Sequence, residues 1–198
     1  MISYLALGDS YTIGEGVALF DSFPYQLCGL LRNEKILCNA PEILAKTGWT
    51  TDELQAQINK HNFIPPYSIV TLLIGVNNQY RGRAVDDYIL QFESLLKKAL
   101  TYTNNDYSRV IVLSIPDWGV TPFAEGRDRK QIAEQIDAYN AAGKEVADKY
   151  KVHYIEITTG TREAVYDLEL LAKDGLHPSG REYAKWSKKI ATVIASGL

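Results

Sequence analysis

Only two cysteines, Cys28 and Cys38, occur in 198 residues, and their separation matches no metal-ligand spacing. A disulfide framework is excluded at this length, and two free, buried thiols are expected. Three histidines give no His-rich cluster, so no metal is expected. Excess charge is scarce as well. A formal net charge of −3 leaves no electrostatic footprint for nucleic acid or an anionic membrane. No apolar run approaches the roughly 20 residues of a membrane helix, so no integral membrane segment is expected. The opening MISYLALGDS has neither the basic start nor the long apolar stretch of a secretory signal. A cytoplasmic protein is the expectation, and a secreted one the alternative if further residues preceded Met1.

What is present is ordinary for a folded chain, with 46% apolar and 23% charged residues. Its length suits one domain over 1–198, below the roughly 250–300 residues at which single cores stop growing. No internal repeat, low-complexity tract or linker interrupts it. The periodicity alternates between strand and helix. Strands are predicted at 2–7, 42–46, 68–74, 109–115 and 152–157, with Pro41 keeping the second from starting earlier. Helices are predicted over 21–33, 52–60, 84–102, 127–150 and 180–195. Tyr25, Leu27, Leu30 and Leu31 are placed on the inner side of the first, and Thr50 or Thr51 caps the second with Glu53 near the capping-box position. Five such alternations imply a three-layer α/β/α sandwich, a flavodoxin-like five-stranded parallel sheet covered by helices on both faces.

In sheets of this kind the ligand crevice lies at the carboxyl ends of the strands. Gly8-Asp9-Ser10 follows the first predicted strand, Thr47-Gly48-Trp49-Thr50 the second, and Gly75-Val76-Asn77-Asn78 the third. Asp174-Gly175-Leu176-His177-Pro178-Ser179 comes after the fifth. A hydroxyl, a glycine turn, an amide and an Asp/His pair thus reach one edge, which is an inventory for acyl transfer. A serine hydroxyl needs an adjacent base, and an imidazole titrates near neutral pH. Asp174 stands three residues before His177, close enough to accept from Nδ1 and fix the tautomer. The Ser10 and Gly48 backbone N–H groups and the Asn77 side-chain amide can supply an oxyanion hole. Trp49, Tyr80, Trp118 and Phe123 fall in loops on the same edge and are candidates for an acyl pocket or a sugar platform.

Each residue also has a plain reading. Ser10 can be a helix cap, Gly48 a turn glycine, Asn77 a left-handed turn residue, and Asp174 with His177 a helix start. Asp9 reads as structural, bonding backbone amides around its turn. His61 reads as a surface or packing residue, His153 as a sheet residue, and Arg81 and Arg83 as loop arginines within reach of a polar head group.

Together, Gly8-Asp9-Ser10, Gly48, Gly75-x-Asn77 and Asp174-x-x-His177 resemble the four sequence blocks of the SGNH hydrolases, also called GDSL esterases and lipases. A lone Gly-Asp-Ser is a weak signal, whereas the four blocks in order over 8–177 are a specific one. The resemblance implies Ser10 as nucleophile, His177 as base, Asp174 as its orienter, and Gly48 and Asn77 completing an oxyanion hole with Ser10. It also implies the three-layer sandwich that the periodicity suggests. Two positions depart from the pattern. Asn78 stands where the third block usually carries Asp, and Tyr11 stands where the GDSL name implies Leu. The implied activity is hydrolysis of a carboxylic ester, either a small ester or a lysophospholipid-type acyl ester, through an acyl-enzyme and without a cofactor. Alternatives are an acetyl-carbohydrate esterase, an acyltransferase with the same residues, and a flavodoxin-like module holding a phosphate in its first loop. The expected partner is a small-molecule ester, and no nucleic acid.

Overall fold

The computed structural model describes residues 1–197. Five parallel strands form one sheet in the order β2-β1-β3-β4-β5, where β1 is Tyr4–Asp9, β2 Glu42–Lys46, β3 Ile69–Leu73, β4 Val110–Leu113 and β5 His153–Ile155. The flavodoxin-like sheet read from the periodicity is therefore the observed one. β1 and β3 are buried along their whole length, as continuous apolar runs require when helices cover both faces.

The helices are α1 (Ser10–Ile13), α2 (Phe23–Asn33), α3 (Thr51–Ile58), α4 (Val76–Tyr80), α5 (Val85–Thr101), α6 (Arg129–Tyr150), α7 (Thr158–Arg162) and α8 (Gly180–Gly197). Because β1 connects towards one edge and the later strands run towards the other, right-handed crossovers place α2 and α8 against one face and α3, α5 and α6 against the opposite one. The packing partners agree: α2 lies on α8, and α5 lies on α6 and α3. No helix among the described residues is long and apolar enough to cross a membrane.

Several boundaries differ from expectation for local reasons. β1 begins two residues late, because Ile2 forms only an isolated bridge to Cys38 and Ser3 N–H turns to Ser68 Oγ at 3.2 Å. The buried side of α2 is Phe23, Leu27, Cys28 and Leu31, while Tyr25 and Leu30 are half-buried. The inward stripe starts from Phe23, and Pro24 occupies the first turn, where its missing N–H costs nothing. Thr50 caps α3, with its backbone N–H donating to Glu53 Oε2 at 2.9 Å. The predicted inner face of α5 (Tyr88, Phe92, Leu95, Leu96 and Ala99) is fully buried. Cys28 and Cys38 are free thiols whose Sγ atoms lie 3.3 Å apart inside the core.

Candidate active site

The switch in strand order falls between β1 and β3, and the segments leaving these two strands build the crevice. β1 runs directly into α1. Asp9 caps that turn, its Oδ1 accepting from Tyr11 N–H at 3.0 Å, so the plain reading of Asp9 as a structural cap is the observed one. Ser10 opens the helix, where a backbone N–H has no intrahelical acceptor. The loop beyond it then passes Asp174 closely. Gly16 adopts φ +82°, and a Cβ there would sit 2.9 Å from the Ala172 methyl and 3.0 Å from Asp174 Oδ2. Glycine is what lets the two segments meet.

Asp174 and His177 are held by a short hairpin. Ala172 N–H donates to the His177 carbonyl at 2.7 Å, Leu171 bridges Pro178, and Ser179 N–H donates to the Leu170 carbonyl at 2.8 Å. Within it, Asp174 Oδ2 lies 2.7 Å from His177 Nδ1, while Asp174 Oδ1 accepts from the Leu176 and His177 backbone N–H groups at 3.0 Å each. Partial burial pushes the Asp174 carboxyl up, but the His177 ring and those two N–H groups outweigh it and hold the carboxyl below its ordinary value. The imidazole is buried against Tyr11, whose ring centroid is 4.9 Å away.

Ser10, Asn77 and His177 line one cavity of about 120 Å³, together with Tyr11, Val76, Tyr80, Trp118, Phe123 and Leu176. Residues 167 positions apart in the chain thus face the same small space. Among the described residues, no hydrogen bond joins the Ser10 hydroxyl to the imidazole, whose Nδ1 is engaged by Asp174.

Asn77, the second residue of α4, donates its Nδ2 hydrogens to the Trp49 carbonyl at 3.1 Å and to Asp9 Oδ2 at 3.4 Å. The first bond fixes the orientation of the amide of Asn77, a residue that lines the cavity. The second is long enough to yield to a better acceptor. Gly48 has φ +81°, and a Cβ at this position would meet only Arg81 Nη2 at 3.7 Å, so the space before it is open. Its N–H has no hydrogen-bond partner among the described residues, and it stands outside the cavity lining. Asp9 is fully buried; that burial, partly offset by bonds from Tyr11 N–H and the Asn77 amide, raises its carboxyl to about 7.

One candidate stands apart: Trp49 is absent from the cavity lining, its carbonyl holding Asn77 while its indole packs part-buried against the core. Arg81 and Arg83 are loop arginines held in ion pairs. Arg81 donates to the Gly48 carbonyl at 2.6 Å and pairs with Glu53 at 3.3 Å, and Arg83 pairs with Asp52. Their charges tie the turn after β2 and the start of α3 to the end of α4. Tyr80 and Trp118 do line the cavity as expected. Val76 and Leu176 carry no signal of their own in the sequence, and Tyr11 stands out there only as a departure from the motif; each is a neighbour of a motif residue, which is the signal that marks them.

The departure at Asn78 has a local explanation. Its Oδ1 accepts from Thr51 N–H at 3.1 Å and its Nδ2 donates to Thr51 Oγ1 at 2.7 Å, so one buried amide joins α4 to the start of α3. Of the other histidines, exposed His61 pairs with Glu42 at 3.0 Å and stacks on Phe63, and His153 is half-buried in β5. Among the described residues, no three His, Cys, Asp or Glu side chains gather as a metal site.

The GDSL-like Lipase/Acylhydrolase family matches residues 6–185. The chain belongs to this family. It is accordingly a carboxylic ester hydrolase, and the phosphate-holding binding module gives way to that finding. Among solved structures, this acylhydrolase is similar to TesA at 18% identity, with 99% of each chain covered and a TM-score of 0.76. An acetylxylan esterase from Geobacillus stearothermophilus is 18% identical over 98% of this chain and 94% of that one, with a TM-score of 0.74. A psychrotrophic esterase, EstA, from Pseudoalteromonas sp. is 15% identical over 99% and 98% of the two chains, with a TM-score of 0.71. At such identities the likeness is one of fold. No curated protein matches the chain significantly.

Proposed function

We propose that this acylhydrolase cleaves a small carboxylic ester, or a lysophospholipid-type acyl ester, through an acyl-enzyme on Ser10. The observation that carries the reading is the shared cavity of Ser10 and His177, with Asp174 2.7 Å behind the imidazole. Asp174 accepts the hydrogen bond from His177 Nδ1–H, which fixes the tautomer with Nε2 free as acceptor. His177 removes the Ser10 proton as Oγ attacks the acyl carbon, and then returns it to the departing alcohol oxygen. Charge on the tetrahedral oxygen is met by the Ser10 N–H, the Gly48 N–H and the Asn77 amide, which releases its long contact to Asp9. Water then enters as the second nucleophile, activated by the same imidazole.

A second reading, an acetyl-carbohydrate esterase, is favoured by the aromatic trio. Tyr80, Trp118 and Phe123 have ring centroids 5.2–6.2 Å apart, and two of the rings are exposed. Such faces can hold a sugar ring.

The test is turnover of p-nitrophenyl esters by wild type, Ser10→Ala and His177→Ala, with labelling by a p-nitrophenyl phosphonate. A loss of about 10³-fold or more is expected in both variants, together with one phosphonyl group on Ser10. Near wild-type turnover in both would overturn the proposal. Release of acetate from an acetylated oligosaccharide, faster than from simple esters, would select the second reading.

A further inference from the structure

We infer that Gln79 is a positioning residue: it fixes the Trp118 ring as a buried wall of the ester cavity, and that wall sets how long an acyl group the site accepts. The inference rests on the reading of Ser10 as nucleophile. Trp118 lines the same cavity as Ser10 and His177. The alcohol leaves first and must reach solvent past the exposed rings of Tyr80 and Phe123, so the buried Trp118 side is left to the acyl group.

Three of the aromatic rings lining this cavity, Tyr80, Trp118 and Phe123, differ in freedom. Tyr80 and Phe123 are 44% and 47% exposed, whereas Trp118 is 5% exposed. The indole Nε1–H donates to Gln79 Oε1 at 2.6 Å, and Gln79 Nε2–H donates to Gln135 Oε1 on α6 at 2.8 Å. Gln79 is itself buried. Swinging the indole aside leaves a buried donor and a buried acceptor unpartnered, which the low-dielectric interior penalises.

The backbone beneath the ring is held as firmly. Asp117 Oδ1 accepts from Gly119 N–H at 2.8 Å, and Asp117 Oδ2 accepts from Arg162 Nε at 2.9 Å. The Gly119 carbonyl accepts from Arg129 at 2.6 Å, and the Trp118 carbonyl from the Thr121 hydroxyl at 2.7 Å. Side chain and main chain are therefore anchored separately. A chain longer than the cavity must break the Gln79 bond or turn out past Tyr80 and Phe123.

The experiment measures kcat/KM for p-nitrophenyl esters from acetate to decanoate, and for acetate esters of alcohols of rising length. It uses wild type, Gln79→Leu, Gln79→Glu, Trp118→Ala and Ser10→Ala. In wild type a fall of about 10-fold or more between butyrate and octanoate is expected. Gln79→Leu and Trp118→Ala raise the octanoate-to-acetate ratio at least about 10-fold, and Gln79→Glu, which keeps the acceptor for the indole N–H, restores the wild-type ratio. A merely structural role for Gln79 would lower all esters in parallel. Parallel loss, an unchanged ratio in a folded Gln79→Leu protein, or a shift in the alcohol series instead overturns the inference. Should Gln79→Leu fail to fold, Trp118→Phe removes the N–H and must move the ratio the same way. Ester cleavage by Ser10→Ala at wild-type rates would overturn the serine reading itself, whatever the chain-length profile.

Discussion

Replacing Asp9 by asparagine is expected to stabilise the protein at alkaline pH and to flatten its stability profile. Asp9 is fully buried at the end of β1, and burial is the main reason its carboxyl rises from 3.8 to about 7; the negative charge of Glu15 pushes the same way, while the Tyr11 and Asn77 bonds resist. A carboxyl whose folded value is raised binds its proton more tightly in the folded chain. Its contribution is complete below its ordinary value and is lost as pH climbs towards about 7. The gap corresponds to about 4 kcal/mol. Asparagine mimics the neutral carboxyl, keeps an oxygen for Tyr11 N–H and does not titrate. Urea unfolding at pH 4, 5.5, 7 and 8.5 reads the difference. Wild type should lose ground to Asp9→Asn by up to about 4 kcal/mol between pH 4 and 8.5, the gap opening mostly below pH 7. Parallel profiles for the two proteins would refute the reasoning, because they would mean that Asp9 does not carry the burden that its burial implies.

Asn77→Ala should lower kcat about 10²–10³-fold with a much smaller change in KM, read from steady-state kinetics, because an oxyanion donor acts mainly in the transition state. Asp174→Asn should lower kcat by about 10²–10⁴-fold through loss of the Nδ1 acceptor, and should also remove the acid-side fall in stability that a depressed carboxyl produces, since the stability it lends is present above its ordinary range and is lost as pH drops. Asn78→Asp converts the buried donor to Thr51 Oγ1 into an acceptor, and should lower the thermal midpoint at pH 7 by about 3–6 °C while leaving Ser10 phosphonylation intact; an equal or higher midpoint would contradict the bond assignment. Gly48→Ala should reduce turnover by forcing a residue with a Cβ to φ +81°, a conformation worth about 1 kcal/mol of strain, without a steric clash, since only Arg81 Nη2 lies nearby at 3.7 Å.

The strands and long helices were readable because each buries a continuous face: the apolar run at 68–74 and the stripe Tyr88, Phe92, Leu95, Leu96 and Ala99 leave one arrangement that hides them. The short elements were not, since the turn at Trp118–Val120 and helix α4 are below the length at which a period can be seen. For the site, the sequence by itself determined which groups were available: a hydroxyl after β1, an amide after β3 and an Asp-x-x-His pair near the end, whose spacing of three is itself a local geometry that one turn can close. Only the tertiary structure decided that His177 and Ser10 share a cavity, that the Trp49 carbonyl holds the Asn77 amide while its indole packs against the core, and that Arg81 and Arg83 form ion pairs within the fold. The reason is physical. A motif records chemistry that depends on a few neighbouring bonds, whereas burial, the walls of a cavity and the partner of a long side chain depend on segments far apart in the chain, brought together by the core.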